Sequence, residues 1–149
     1  MDPLLRDRRD RLFGILNGID YDMVNPASDP HLATNYDSAS LGQRLANKLT
    51  LQREAKLPED PDIPLFGMIS RLTNSKGFDI LGDAIDHILD LGVQFVLMGT
   101  GDQHYHDLFS RMVQQYPHQA AIFLTFNTPL TRRIYAGCDM FLMPSRVEP

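Results

Sequence analysis

Short apolar runs punctuate the second half of the chain: Leu65-Phe66-Gly67-Met68-Ile69, Gln94-Phe95-Val96-Leu97-Met98, Ala120-Ala121-Ile122-Phe123-Leu124 and Met140-Phe141-Leu142-Met143. None alternates with polar positions, which is the pattern of strands buried on both faces of a parallel sheet. The segments between them are amphipathic at helical spacing. Leu81, Ala84, Ile85 and Ile88 share one face before Gly92 stops the helix. Tyr105, Leu108, Phe109, Met112, Val113 and Tyr116 form a second stripe. Thr128-Pro129 reads as the N-cap and first residue of a shorter helix ending near Ala136. The order β-α-β-α-β-α-β, with right-handed crossovers, predicts an α/β doubly wound parallel sheet. Four strands fall short of the roughly five or six of a complete sheet of this kind. The run that closes on Val147-Glu148-Pro149 therefore suggests a domain cut short.

The first half reads differently. Residues 1–62 are expected to be a linker region holding one helix, and residues 63–149 a partial ligand-binding domain. From Asn17 to Pro64 the chain is polar and carries Asn25-Pro26, Asp29-Pro30, Leu57-Pro58 and Asp60-Pro61-Asp62, pairs that punctuate loops. Inside it Leu41, Leu45 and Leu49 recur at helical spacing. Ser40 and Gln43 fit a capping box and Pro58 a stop, giving a predicted helix over Leu41 to Leu57. The Arg6 to Arg11 cluster is balanced by Asp7 and Asp10 and reads as an exposed helix face.

Composition narrows the function. The 149 residues are 43% hydrophobic with a formal net charge of −5, enough for one core and unfavourable for a general nucleic-acid surface. No apolar stretch approaches the roughly 18 residues that span a bilayer, and the charged start lacks the apolar segment of a signal peptide. The single cysteine, Cys138, rules out an intramolecular disulfide or a cysteine-cluster zinc site. A cytoplasmic setting is expected.

In an open α/β sheet, ligands sit beyond the carboxyl ends of the strands. After the first run come Arg71 and Lys76, two cations on one loop. They suit a diphosphate, a planar fork beside a mobile point charge, and would equally serve as solvated surface cations. After the second run, Gly99-Thr100-Gly101 permits close backbone approach to a ligand or simply makes a tight turn. It is not a dinucleotide fingerprint, since His104 stands where a third glycine is needed. Phe126 follows the third run and is placed either to stack a base or to close a hydrophobic rim. Glu148, past the fourth, is a carboxylate for sugar hydroxyls or a solvated terminus.

Other chemistry is set aside. If His104 and His106 lie on a helix, they point to different faces and cannot chelate together. Asp79, Asp83, Asp86 and Asp90 read as a solvated helix face. Cys138 reads as a small buried residue. No Ser/His/Asp or Cys/His arrangement is present, so catalysis would be electrostatic and positional.

Eight stretches in order go further. Gly14-Ile15-Leu16-Asn17-Gly18-Ile19-Asp20 with Asn25-Pro26 and Asp29 resembles a signature of bacterial glycogen synthases and plant starch synthases. Asn47-Lys48 with Leu51-Gln52-Arg53-Glu54, Pro64-Leu65-Phe66-Gly67, Ser70-Arg71-Leu72-Thr73 and Lys76-Gly77-Phe78-Asp79 follow in that family's order. So do Gly99-Thr100-Gly101-Asp102, Arg133-Ile134-Tyr135-Ala136-Gly137 and the run from Asp139 to Arg146. Val24 and Val147 depart from the family's usual tryptophan and phenylalanine.

The resemblance implies the Rossmann-like C-terminal domain of a GT-B glycosyltransferase. Such an enzyme extends an α-1,4-glucan at its non-reducing end from ADP-glucose, with retention of configuration. By the same resemblance Arg71 and Lys76 bind the donor diphosphate, Glu148 touches the transferred glucose, Asn17 lies near the sugar site and Phe126 lies beside the adenine. Gly99, Thr100 and Gly101 complete the expected donor set. No cofactor or metal is expected. The partners expected are ADP-glucose and a glucan acceptor, in a bacterial cytoplasm or, for a plant homologue, a plastid. The family's N-terminal domain and everything after residue 149 are lacking, so the chain alone is expected to be inactive and to associate through a truncated sheet edge. A GT-B transferase using UDP- or GDP-sugars, or a non-catalytic nucleotide-binding module, are the alternatives.

Overall fold

The computed structural model describes residues 3–147. Its centre is a four-stranded parallel sheet in the order β3-β2-β1-β4, with β1 Leu65–Ile69, β2 Gln94–Met98, β3 Ala120–Phe123 and β4 Met140–Phe141. The helices are α1 Pro3–Asp7, α2 Arg44–Glu54, α3 Phe78–Leu89, α4 Gln103–Gln115 and α5 Thr128–Gly137.

Both faces of the sheet are covered, which is why the strands lack alternation. Phe95 and Leu97 of β2 pack with Phe78, Leu81, Ile85 and Phe109 from α3 and α4. The intervening Val96 and Met98 pack on the opposite side with Leu51 of α2 and Leu130 and Ile134 of α5. Every residue of β2 is buried. On that second face Gly67 brings β1 against α5, for a Cβ there would lie 2.9 Å from Ile134 and 3.0 Å from the Cys138 sulfur.

The region before β1 is tied to this sheet. Gln52 and Gln94 are fully buried, and their carboxamides bond to each other at 2.8 Å. Gln52 Nε2 donates to the Asp60 carbonyl and Gln94 Nε2 to that of Pro58, so the buried amides keep their hydrogen bonds. Lys48 Nζ reaches Asp139 Oδ2 at 2.7 Å and the Pro61 carbonyl at 2.8 Å. Asp139 in turn accepts from the Leu65 amide at the start of β1. Residues 25–37 are held by Asn35 on the Pro26 and Asp29 carbonyls, by Asn47 bonding both polar groups of the Thr34 backbone, and by Arg44 over the Tyr36 ring.

Several boundaries differ from the sequence expectation. The helix expected over Leu41 to Leu57 is a 3₁₀ turn, Leu41–Gln43, followed by α2. It ends before Pro58, where Lys56 adopts a φ of 57° and the Leu57 amide reaches back to the Gln52 carbonyl. The capping box does not form, because Ser40 Oγ is engaged with the Asp37 carboxylate and amide. At α5 the cap is Asn127, whose side chain accepts from the Leu130 amide, one residue before the expected Thr128. β4 keeps two of its four expected residues.

Candidate functional site

The connections define where a ligand belongs. From β1 the chain moves outward through β2 to β3, then crosses back through α5 to β4 on the far side of β1. The direction of winding reverses between β1 and β4. In doubly wound sheets the ligand crevice lies beyond the carboxyl ends of the two strands at such a reversal.

The β1 exit forms one wall. Ser70 through Thr73 lead into a 3₁₀ turn, Asn74–Lys76, which ends at Gly77 with a φ of 74° and passes directly into α3. A Cβ on Gly77 would fall inside contact distance of the Pro144 carbonyl oxygen and 2.8 Å from its carbon, so only glycine lets the turn approach the β4 exit this closely. Lys76 lines a cavity of about 100 Å³ with Met68, Ile69, Ser70, Leu142, Met143 and Ser145. Arg71 is exposed, and its side chain makes no ion pair among the described residues.

The two walls are joined. The Arg146 and Val147 amides donate to the Ser75 carbonyl at 3.0 and 3.3 Å. Arg146 also forks onto Asp79, in the first turn of α3, with Nη2–Oδ2 at 2.5 Å and Nε–Oδ1 at 3.3 Å. The guanidinium holds the Asp79 carboxyl below the usual carboxylate range, and the carboxylate raises Arg146 in turn. Asp79 is therefore not part of a uniformly solvated acidic face. Its position in a helix's first turn, next to the Lys76-Gly77 turn, was the available signal. From the other side Tyr105, buried against Phe78, donates its hydroxyl to Asn74 Oδ1 at 3.2 Å. Burial raises the Tyr105 phenol above its ordinary value.

The β2 exit is stitched to the β1 exit rather than open. The Leu72 amide donates to the Thr100 carbonyl at 3.0 Å, and the Asp102 amide to the Leu72 carbonyl at 2.8 Å. A Cβ on Gly99 or Gly101 would collide with the Ser70 or Leu72 carbonyl oxygen. These glycines admit the neighbouring loop's backbone. Thr100 is exposed, and His106 Nε2 accepts from the Gly101 amide at 3.1 Å.

Phe126 is half-exposed and follows β3, two strands or roughly 10 Å across the sheet from β1. Asn17 lies in the exposed N-terminal segment and is not among the residues lining the crevice cavity. Its neighbours Gly18, Ile19 and Asp20 border a roomier pocket, about 560 Å³, against Arg132 and Tyr135 of α5. That pocket is mostly apolar and lies on the α5 face, so size alone does not mark the site. Glu148 lies outside the described residues. Among the described residues no three His, Cys, Asp or Glu side chains converge on a metal position, and no helix is long and apolar enough to cross a membrane. Cys138 is buried behind β1, and burial pushes its thiol up to about 11.

A parallel sheet covered by helices on both faces, with two cations on the first strand's exit, defines a class, the doubly wound α/β domains. The comparisons are more particular. Residues 50–149 match the family model of glycosyl transferases group 1, and the chain belongs to that family. A glycogen synthase of Kosmotoga olearia is 48% identical over all 149 residues, and one of Desulforamulus reducens is 44% identical. The chain spans only 31% of each of those proteins. Among solved structures, the catalytic domain of starch synthase IV from Arabidopsis thaliana, bound to ADP and acarbose, superposes with a TM-score of 0.87. It is 35% identical, over 98% of this chain and 30% of that one. The family and the parallel α/β fold thus agree with the sequence reading.

Proposed function

We propose that the chain carries the donor-nucleotide side of a retaining glucosyltransferase, which moves glucose from ADP-glucose to the non-reducing end of an α-1,4-glucan. The observation that supports this reading is that Arg71 and Lys76 both lie on the exit of β1, the strand at which the sheet order reverses. The similarity to glycogen synthases over the whole chain, and to a starch synthase bound to ADP and acarbose, supports ADP-glucose and glucan as the substrates.

In this mechanism Arg71 and Lys76 hold the diphosphate and offset the negative charge that grows on it as the glycosidic bond breaks. The positive end of α3 adds to that field. Glu148 would accept bonds from the glucosyl hydroxyls, Asn17 would lie near the sugar, and Phe126 would offer a ring face to the adenine. The Gly99-Thr100-Gly101 turn would border the nucleotide. No metal or cofactor has a part. The chain alone is expected to be inactive, because one side of a cleft cannot orient both substrates. Self-association through the β3 or β4 edge and a cytoplasmic or plastid setting complete the proposal.

Calorimetric titration with ADP and then UDP tests it. We expect ADP to bind in preference to UDP, and Arg71→Ala to weaken it by about tenfold, as for loss of one charge-assisted contact. Equal affinity for the two nucleotides, or indifference to Arg71→Ala, would refute the donor assignment.

A further inference from the structure

The Lys76 turn is gripped at three points by the chain leaving β4. Pro144 sits against Gly77, the Arg146 and Val147 amides share the Ser75 carbonyl, and the Arg146 guanidinium forks onto Asp79. The first depends on a glycine at position 77 and the second is a backbone contact indifferent to side chain. The third is a planar two-point contact that only arginine and a carboxylate supply. It spans 67 positions of sequence and ties the first turn of α3 to the exit of β4. Neither residue faces the crevice cavity. Their charges are spent on each other, across the mouth where the two walls meet.

We propose that the Asp79–Arg146 pair is a positioning clasp, which fixes the β4 exit onto the Lys76 turn and thereby sets the geometry of the nucleotide site. The inference rests on the donor-site reading above for its ligand, but the clasp itself has a separate readout. Asp79 and Arg146 are positioning residues: they act through the Ser75 carbonyl and the register of the Lys76 turn, without touching nucleotide. Lysine at position 146 would keep the charge and lose the fork.

The test combines amide hydrogen exchange with ADP titration on Asp79→Asn, Arg146→Lys and the charge-swapped double variant Asp79→Arg/Arg146→Asp. In both single variants we expect the Arg146 and Val147 amides to exchange about three- to fivefold faster, the scale of an exposed ion pair. ADP should bind about threefold or more weakly, with little change in melting temperature. The swap should recover part of both losses. Unchanged exchange at residues 146 and 147 in Asp79→Asn overturns the clasp, whatever the titration shows. Faster exchange with unaltered ADP affinity overturns its positioning role. If the parent chain binds no ADP, the donor reading is what fails, and the exchange data still decide the clasp.

Discussion

Gly77 and Gly92 offer a matched pair of perturbations. Both adopt left-handed backbone, with φ of 74° and 76°. A Cβ on Gly92 would meet nothing within 4 Å, whereas one on Gly77 would collide with Pro144. Alanine at either position incurs the left-handed penalty of about 1–2 kcal/mol. Reduced freedom of the unfolded chain offsets about 0.4–1 kcal/mol of it. Gly92→Ala should thus lose about 0.5–1 kcal/mol. Gly77→Ala must also push the β4 exit away, releasing the Arg146 and Val147 amides from Ser75, at about 0.5–1.5 kcal/mol for each bond. Its total should reach about 1.5–4 kcal/mol. Urea unfolding monitored by circular dichroism measures both. The Gly77 variant should also show faster amide exchange at residues 146 and 147 while the Gly92 variant does not. If the two stabilities agree within about 0.5 kcal/mol, near the error of extrapolation, the close approach of the two walls is not a structural constraint.

Two further outcomes follow from the titrating groups. Asp79 has a lowered carboxyl because of Arg146, so its contribution to stability is present above the ordinary carboxylate value of 3.8 and is lost as pH falls through the folded value. Acid titrations of the parent chain and Asp79→Asn should therefore converge at low pH, and parallel curves would refute the link. Cys138, raised from about 9 to about 11 by burial, stabilises the fold below pH 9 and loses that contribution as pH climbs towards 11. At pH 8 about one thiol in a thousand is ionised, so a disulfide reagent should label the folded chain only through opening. Labelling at the rate of a free thiol would contradict the burial.

The strands that sequence reading placed well, β1 and β2, are those buried on both faces, where an unbroken apolar run has no competing interpretation. β4 is shorter than its apolar run: the Leu142 amide makes the last bond to β1, on the Gly67 carbonyl, and the Leu142 and Met143 side chains line the crevice cavity. The helix caps failed where a side chain had a better local partner. Ser40 was taken by Asp37, and Asn127 preceded the threonine-proline pair that drew attention. The placement of Arg71 and Lys76 on the β1 exit was legible, since it follows from the position of the strand. The Asp79–Arg146 contact was not, since helical periodicity assigns Asp79 to the outer face and says nothing of a strand exit 67 residues later.

The buried Gln52–Gln94 pair bears on where this chain can be divided. Composition changes near residue 62, and a boundary drawn there looks natural in the sequence. Yet Gln94 opens the most deeply buried strand, and among the described residues its carboxamide bonds only to Gln52 and the Pro58 carbonyl. Cutting at residue 62 would leave that amide in the interior without partners, at about 1–3 kcal/mol. It would also strip α2 from Ile134 and Val96. For anyone grafting this domain onto another protein, the inheritable unit begins upstream of α2, and the proline-rich stretch before β1 travels with the sheet as a sealing strip.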